Sequence, residues 1–347
     1  MLKTLFRRLL ATWQGKLSVL MLIALYGVTS LAPMLAPYDI GQQCLQFSFH
    51  PPMSLKWFQN ALHYRTYVRA KLPSVQYTPT QTYVPVHWWV PCKPYRVFGC
   101  IPCSHKLFGG DERYPFFLLG TDNLGRDFFS RLLFGGRISL SIGLVGVLIT
   151  LWIGCFAGCL AGFWGGWYDF LTMRCVEFLM AIPSLYLLLA LRASIGMHFS
   201  SSMAYFMIVT LLACVGWTKI ARVVRGMVAG LRTAAFVQAA QAMGQSTLQI
   251  FLKHFMPNLA SYLLTAATLC IPSYILYEAA LSFLGIGIQE PSTSWGLMLK
   301  YTQEDLKVFT LNLWWLLLPG VSISLTIIAF NLLGDALRDS VDPKLHT

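Results

Sequence analysis

The chain alternates long apolar runs with shorter polar segments, and six of the runs carry little or no charge between their ends. A helix that crosses a bilayer needs about 20 mostly apolar residues. The six runs are Leu17–Tyr38, Ile138–Tyr168, Arg174–Arg192, Ala193–Thr218, Phe255–Tyr277 and Val308–Gly334. The pattern therefore predicts an all-α integral membrane protein with six transmembrane helices.

The first run is open to two interpretations, a cleaved signal peptide or a retained membrane helix. The residues before it include four basic side chains, Lys3, Arg7, Arg8 and Lys16. Its apolar core is longer than a usual signal core, and the small-residue stretch ending at Ala36 is followed by Pro37, a poor residue after a cleavage point. We interpret the run as a retained anchor.

The composition agrees with a membrane location, since 56% of residues are hydrophobic and 12% are charged, against about a quarter charged in soluble domains. The formal net charge is +12. The basic residues are spread over the segments between apolar runs rather than clustered on one soluble face, which argues against nucleic-acid binding. They favour cytoplasmic loops and acidic lipid headgroups as the explanation.

The distribution of these charges also predicts the orientation. The segment between the fourth and fifth runs carries only basic charges, on Lys219, Arg222, Arg225, Arg232 and Lys253. Like the basic N-terminus, it is expected in the cytoplasm. Six spans then place both termini in the cytoplasm of a multi-pass protein of the cytoplasmic (inner) membrane.

The polar segment after the first run predicts a separate extracytoplasmic insert. We expect three parts: residues 1–38 with the first helix, the insert at 39–119, and a membrane domain at 120–347 that contains a cytoplasmic loop at 219–258 and a short tail. The segment up to Arg137 holds nine of the 17 prolines, with interleaved tyrosines and tryptophans. This composition favours an irregular or β-rich fold.

Four of the nine cysteines lie in the insert, at Cys44, Cys92, Cys100 and Cys103. An even number in an oxidising compartment favours two disulfides, for which three pairings are possible. Cys100 and Cys103 also match a CxxC pattern of redox or metal chemistry. We favour structural bridging, because no βαβ pattern surrounds the motif.

The uncharged stretch between Arg232 and Lys253 predicts an amphipathic helix. Its glutamines recur at helical spacing at positions Gln238, Gln241, Gln245 and Gln249. The opposite face is apolar and consists of Val237, Ala240, Gly244, Leu248 and Phe251. Small residues at Ala239, Ala240 and Gly244 would let another protein approach closely, and Pro257 is expected to stop the helix.

The run Gln-Ala-Ala-x3-Gly-x9-His-Phe-Met-Pro in this stretch resembles the signature loop of ABC importer permeases. In that family the loop is a coupling helix that docks on a cytoplasmic ATPase subunit. The resemblance assigns this role to Gln238, Ala239, Ala240, Gly244 and Pro257. The family usually has Glu at the position of Gln238, where an amide hydrogen bond would replace a salt bridge. The alternative is an interfacial helix packed on the chain's own spans.

A second block resembles the segment that precedes the second span in dipeptide and oligopeptide permeases of the C type. Its motif residues are Gly120, Thr121, Asp122, Gly125, Arg126, Asp127, Ser130 and Arg131. We expect Phe128, Leu132 and Leu133 to form a face in the membrane interface, with Arg126, Asp127 and Arg131 towards water or one another. Asp122 and Asp127 are expected to pair with the arginines rather than to act in catalysis.

A third block, Tyr277–Gly296, resembles the Glu-Ala-Ser-Leu-Ser-Phe-Leu-Gly-x-Gly run near the outer end of the fifth span and contributes Glu278 and Gly285. Two readings of Glu278 stay open, a functional carboxylate beside the membrane or an interfacial one bonded to its own backbone. Pro183 in the third run is expected to kink its helix.

Together the three blocks resemble the C-type permeases (DppC, OppC and YejE-like proteins) over about two-thirds of the chain. The resemblance implies a type I ABC importer permease fold for peptides, with alternating access and with no enzymatic activity in this chain. Its implied partners are a second permease, two ATPase subunits that bind ATP and Mg²⁺, a solute-binding protein and membrane lipid. The absence of a Gly-x4-Gly-Lys-Ser/Thr loop agrees with nucleotide binding elsewhere.

Other functions remain as alternatives. An ion-coupled secondary transporter would use intramembrane charges and paired broken helices, for which the sequence offers only Glu177 and Glu278 and no internal repeat. A membrane-embedded enzyme would need a catalytic constellation, and no catalytic residue or metal ligand is assigned. Within the family, nickel or glutathione could replace peptide, and no substrate-binding residue is assigned.

Overall fold

The computed structural model describes residues 9–58, 60–70, 76–97, 100–111, 113–194, 201–305 and 313–341. The chain divides into two compact units. The first unit consists of Met1–Met21, Ser141–Glu278 and Thr326–Thr347, and the second consists of Leu22–Leu140 and Ala279–Leu325. Some predictions concern residues outside the described ranges: Lys3, Arg7 and Arg8, and parts of the fourth and sixth runs (195–200 and 308–312).

Helices form most of the described chain. They are α1 (Trp13–Ser30), α2 (Ala32–Leu35), α3 (Phe128–Trp164), α4 (Gly166–Ala181), α5 (Ser184–Ser194), α6 (Ser201–Arg232), α7 (Ala235–Ala242), α8 (Thr247–Ile250), α9 (Met256–Phe283), α10 (Trp295–Glu304) and α11 (Leu318–Val341). A π-helical turn at Phe251–Phe255 joins α8 to α9, and a 3₁₀ turn at Trp314–Leu317 precedes α11.

Four helical stretches within the described residues are long and apolar enough to cross a membrane: Phe128–Trp164, Ser201–Arg232, Thr247–Phe283 and Trp314–Ser340. The pair α4–α5 passes the same test and would make a fifth span. The protein is thus a mostly helical, multi-pass membrane protein. Helix α1 does not join these stretches, since its first turn contains Gln14, Gly15 and Lys16. Six spans and the orientation of the termini remain predictions.

The predicted third span is broken at Pro183. Helices α4 and α5 are bent by 92° relative to each other, and Ile182 between them is extended (φ −97°, ψ 130°). A residue that precedes proline is sterically pushed out of the helical region, so the chain turns here. The kink expected of Pro183 is confirmed.

Helix α6 extends through the segment that was expected to begin a loop at Lys219. The basic residues do not end the helix because they occupy its exposed positions, as Lys219 and Arg222 do, while Ala221, Val224 and Val228 stay buried. The apolar period therefore continues after the charge-free run ends. Residues 219–232 of the predicted cytoplasmic segment are therefore helical, and their cytoplasmic location stays a prediction.

Helix packing in the first unit depends on three glycines of α3 that face α6. A Cβ atom on Gly154, Gly158 or Gly162 would lie within 2.6–2.8 Å of the α6 carbonyl oxygens of Trp217, Ala221 and Arg225, respectively. Small residues at a spacing of four let membrane helices approach backbone to backbone. This contact fixes α6 and, with it, the segment that follows.

The insert in the second unit is β-rich, as its composition predicted. Its strands are β1 (Leu55–Phe58), β2 (Ala61–Arg69), β3 (Tyr77–Pro85), β4 (His87–Val97) and β5 (Ile101–Gly109). Strands β1, β2 and β3 form an antiparallel sheet in that order, and β4 and β5 form a separate hairpin. A core that includes Met53, Tyr64, Val84, Phe116 and Phe117 stabilises the insert.

Candidate functional site

The segment between α6 and α9, residues 233–258, is called the connecting segment below. It contains two short helices rather than the single helix predicted. Gly244 ends α7 with a left-handed backbone (φ 74°): its N–H donates to the Gln241 carbonyl at 2.9 Å, and the Gln245 N–H donates to the Ala240 carbonyl at 3.1 Å. Glycine adopts this conformation without a steric cost, which is why it terminates helices in this way.

Helix α8 begins at a capping box. The Ser246 hydroxyl accepts a hydrogen bond from the Gln249 N–H at 3.4 Å, and the Gln249 side chain accepts one from the Ser246 N–H at 3.2 Å. This reciprocal cap satisfies two backbone donors at the start of the helix. Gln249 therefore stabilises the segment itself.

The connecting segment is anchored by a buried apolar face. Val237, Ala240, Ile250 and Phe255 belong to one hydrophobic cluster, together with residues of α3 and α6 that include Cys155, Val224 and Val228. The prediction is confirmed for Val237 and Ala240. It is wrong for Leu248, which is 67% exposed, and for Gly244, which is also exposed. Both residues differ from the prediction because α7 ends at Gly244, so the single helical period on which the predicted buried face was based does not continue through the segment.

A second face of the segment is exposed and mixed in character. Phe236, Met243, Leu248 and Leu252 are exposed apolar side chains, and Met243 is 72% exposed. Gln238, Ala239 and Gln241 are exposed beside them. We call these seven residues the exposed coupling face. Apolar side chains displayed on a rigid support are typical of protein interaction sites.

The side chain of His254, near the end of the connecting segment, contacts two residues that precede it in the segment, Gln245 and Phe236. The Gln245 side-chain oxygen and His254 Nε2 are 3.2 Å apart, and the His254 ring lies 5.9 Å from the Phe236 ring. Four glutamines were predicted to form one polar face, but Gln245 and Gln249 make bonds within the segment. Gln238 and Gln241 are the two on the exposed coupling face.

Pro257 lies inside a continuous helical stretch rather than at its end. The stretch runs from Thr247 to Phe283, so the predicted stop is wrong. A proline lacks an N–H donor and crowds the preceding turn. The π-helical turn at Phe251–Phe255, directly before it, is a common way for a helix to absorb such a defect.

The second motif block forms a buried charged cluster in the second unit. Arg126 binds Asp122 through Nε at 2.7 Å and Glu290 through Nη1 at 2.8 Å. Arg131 binds the same Glu290 oxygen at 2.9 Å and the Thr293 hydroxyl at 3.3 Å. Two cations and two anions therefore compensate one another, with both guanidinium groups and Asp122 buried and Glu290 partly exposed. Such pairing is a condition for burying charges.

Asp122 pairs with the arginines as predicted, whereas Asp127 does not. Asp127 Oδ2 accepts hydrogen bonds from the Ser130 N–H at 2.8 Å and from its hydroxyl at 2.6 Å. Burial raises the pKa of Asp127 to about 7, and the bonds from Ser130 oppose the rise. Desolvation penalises the charged carboxylate more than these two donors stabilise it.

The expected membrane-interface face is wrong for Phe128 and Leu133, which are buried in hydrophobic clusters of the second unit. The guanidinium groups of Arg126 and Arg131 are buried too and face the acids of the cluster rather than water. The sequence reasoning missed Glu290, Thr293 and Tyr301, whose ring lies 5.3 Å from the Arg126 guanidinium.

Three residues of the same block fix the turn that presents the cluster. Gly120 and Gly125 have φ angles of 73° and 69°, and a Cβ on Gly125 would lie 1.9 Å from the Cys44 carbonyl oxygen. The Thr121 hydroxyl donates to the Phe47 carbonyl at 2.5 Å and accepts from the His50 N–H at 2.8 Å. These contacts join the start of the insert to the start of α3.

The third block terminates α9 in the same way that Gly244 terminates α7. Gly285 has φ 79°; its N–H donates to the Ser282 carbonyl, and the Ile286 N–H donates to the Leu281 carbonyl, both at 3.0 Å. Glu278 is fully buried near the end of α9. Its functional or structural role stays a prediction.

The four insert cysteines are not bonded to one another in this structure. Cys92 and Cys103 lie on the paired strands β4 and β5, Cys100 lies in the turn between them, and Cys44 precedes a 3₁₀ turn. The pairing of disulfides stays a prediction. Among the described residues, no group of three or more His, Cys, Asp or Glu side chains is arranged to hold a metal ion.

Residues 151–347, more than half of the chain, match the family described as "Binding-protein-dependent transport system inner membrane component". The chain belongs to this permease family. The matched region contains α4 to α11 and the whole connecting segment. The resemblance drawn from the motif blocks is therefore confirmed at the level of the family.

Named relatives extend the similarity upstream of that region. The permease is 39% identical to the oligopeptide transport system permease protein OppC of Haemophilus influenzae over 233 residues, 67% of this chain and 71% of the relative. It is 40% identical to the dipeptide transport system permease protein DppC of Bacillus subtilis over 228 residues, 65% and 68% of the two chains. For OppC of Escherichia coli K12 the identity is 38% over 225 residues, 65% and 72%.

Proposed function

We propose that this permease is one membrane subunit of an ABC importer that moves dipeptides or oligopeptides across the cytoplasmic membrane. Family membership and the names of three relatives, each a dipeptide or oligopeptide transport permease, support this proposal. We assign no catalytic residue to the chain itself. Separate ATPase subunits bind and hydrolyse ATP with Mg²⁺, and the permease supplies the path.

The exposed coupling face carries the proposal. Its apolar side chains, with Met243 72% exposed, are held out by a segment whose other face is buried on α3 and α6. The segment does not need these exposed apolar side chains for its own anchoring. Their exposure therefore favours a protein partner that covers them. A cleft on an ATPase subunit that takes up Met243 and Leu248, with Gln238 and Gln241 as hydrogen-bonding partners, would cover this face.

The proposed cycle is alternating access. ATP binding closes the ATPase pair, and the connecting segment moves with the cleft that holds it. Since this segment continues directly into α9 and follows α6 closely, its displacement is transmitted to two spans. The ATPases thereby favour one of two membrane conformations through their differential affinity.

The proposed assembly contains a second homologous permease, two cytoplasmic ATPase subunits, an extracytoplasmic solute-binding protein and surrounding lipid, and it does not involve nucleic acid. We propose six spans with α1 as the first, and both termini in the cytoplasm. The extracytoplasmic side then carries the insert, and the cytoplasmic side carries the connecting segment.

Reconstitution tests the function. The permease is co-expressed with the partner permease and ATPases from its gene neighbourhood, and uptake of labelled peptide from its binding protein is measured in proteoliposomes. We expect uptake that requires ATP and persists without ion gradients. Uptake that ignores ATP and follows an ion gradient would favour a secondary transporter, and competition by nickel or glutathione instead of peptide would overturn the substrate assignment.

A further inference from the structure

The first unit contains a cavity of about 100 Å³ beside the broken span. Its wall includes Leu179 and Met180 at the end of α4, Ser184 and Leu188 at the start of α5, and residues of α6 and α9. The cavity thus lies where the chain bends by 92° at Pro183. A cavity of this size has room for several water-sized groups.

Polar groups line this cavity although all of its walls are apolar membrane helices. They include Ser184, Thr218, Lys219, Cys270, Ser273 and Tyr277. Among the described lining residues, Lys219 is the one with a formal charge. Lys219 is itself exposed, so its ammonium group is open to water at the cavity rather than sealed inside the protein. A charge that faces a water-accessible cavity between membrane helices avoids most of the cost of burial and marks a candidate functional site.

The position of Lys219 along α6 supports its assignment to a site between the membrane helices. It lies 18 residues after Ser201, where α6 begins, which corresponds to about 27 Å along a helix that rises 1.5 Å per residue. It is also 13 residues before Arg232, where α6 ends, or about 20 Å. Lys219 is therefore well inside the helix, and it lines the same cavity as the Cys270 thiol on α9.

The cavity wall is held in place by Tyr274. Its hydroxyl lies 2.6 Å from the Thr150 hydroxyl and donates to the Leu212 carbonyl at 3.1 Å, so it connects α9 to α3 and α6. Gly216 leaves the room that this ring needs, since a Cβ there would lie 1.6 Å from the Tyr274 hydroxyl. A preformed polar cavity with one cation is the chemistry that binds an anion.

We propose that this cavity binds a carboxylate of the transported solute, with Lys219 as the cation and the neighbouring hydroxyl groups as neutral donors. In a peptide importer, the group that every peptide carries is its C-terminal carboxylate. This substrate assignment rests on the proposed function. The anion-binding character of the cavity does not depend on it.

Charge-selective labelling of Cys270 tests the anion site alone. The assembled complex in membranes is treated with an anionic and with a cationic methanethiosulfonate reagent, and modification of Cys270 is followed by mass spectrometry. We expect Lys219→Gln to lower the ratio of anionic to cationic labelling rates about tenfold, as loss of a charge-assisted contact implies. Cys214 lies on α6, is exposed and does not line the cavity, so its ratio should stay unchanged.

Arg222→Gln is the matched control, because Arg222 lies one turn after Lys219 on α6 and does not line the cavity. It removes the same charge and should leave the Cys270 ratio as in the unmodified protein. An unchanged ratio in Lys219→Gln, or an equal change in both variants, would overturn the proposal.

A transport assay tests the substrate class. Uptake of a tripeptide with a free C-terminus is compared with that of its amide, with the same binding protein throughout. We expect Lys219→Gln to reduce the preference for the free acid about tenfold and Lys219→Arg to keep most of it. If peptide uptake is normal but the preference is the same in all variants, the carboxylate assignment is wrong and the proposed function stands. If no peptide is taken up, the proposed function fails and the labelling experiment still decides the anion site.

Discussion

Arg126 and Glu290 are 164 positions apart in the sequence and form an ion pair of 2.8 Å. The same Glu290 oxygen accepts a bond from Arg131 at 2.9 Å. One carboxylate thus compensates two buried guanidinium groups and joins the motif block at the start of α3 to the loop after α9. The ion pair therefore links two distant segments of the second unit.

Removal of this carboxylate should destabilise the second unit. In Glu290→Ala, the two buried cations keep only Asp122 as their counter-charge. We expect the free energy of unfolding to fall by about 2–3 kcal/mol. This is less than the full cost for a completely buried pair, because Glu290 is partly exposed. The measurement is thermal unfolding in detergent. Glu304→Ala is the control, since its pair with Lys300 is long (3.6 Å) and exposed, and it should cost at most about 0.5 kcal/mol. Equal losses in the two variants would contradict the account.

Asp127 predicts a pH dependence of stability. Its pKa is raised to about 7 by burial, above the value of about 3.9 for an exposed carboxyl. The folded protein therefore holds this proton more tightly than the unfolded chain, and the associated stability is present below about pH 4 and is lost as the pH rises through 7. We expect Asp127→Asn, whose amide oxygen can still accept from Ser130, to reduce the drop in melting temperature between pH 5 and pH 8. A variant with the same drop as the unmodified protein would show that Asp127 titrates normally.

Local patterns predicted which segments are helical better than where they end. Apolar length and charge identified the cores of α3, α6, α9 and α11. Helix α6 continues past its apolar run because basic residues on an exposed face end the run without ending the helix. The break at Gly244 followed from a backbone conformation, which residue periodicity does not reveal.

The charged cluster was predictable only in part. The sequence predicted that Asp122 and Asp127 pair with nearby arginines, and the structure shows this for Asp122 with Arg126. Glu290 depends on how two distant segments meet, for which a single sequence contains no signal. The raised pKa of Asp127 was equally hidden, since the burial that causes it depends on tertiary packing rather than on residue type.

Packing around Tyr274 predicts opposite effects for two glycines of α6. Gly216→Ala would place a Cβ 1.6 Å from the Tyr274 hydroxyl, so the ring must move and release Thr150, at a cost of about 2 kcal/mol. Gly226→Ala meets nothing within 4 Å and should stabilise the helix by about 0.5–1 kcal/mol. Thermal unfolding of both variants checks the prediction. Stabilisation by Gly216→Ala would contradict the packing.

Gly244 predicts a loss of coupling. Leu at this position disfavours the left-handed backbone (φ 74°) by about 1–2 kcal/mol and adds bulk to the docking region. We expect Gly244→Leu to insert normally and to hydrolyse ATP in the complex while uptake falls at least about tenfold, a factor that corresponds to ~1.4 kcal/mol of lost coupling. Gly230→Leu, at a helical site with open space, should retain uptake. Normal uptake in Gly244→Leu would argue against the role of the turn.

The most direct test of the account is the accessibility of the exposed coupling face. Gln241→Cys is reacted with a membrane-impermeant maleimide in inverted membrane vesicles, before and after the ATPase subunits are stripped away, and the modified peptide is identified by mass spectrometry. We expect protection in the assembled complex and rapid labelling once the ATPases are removed. Labelling from the extracytoplasmic side, or an equal rate with and without the ATPases, would contradict this expectation.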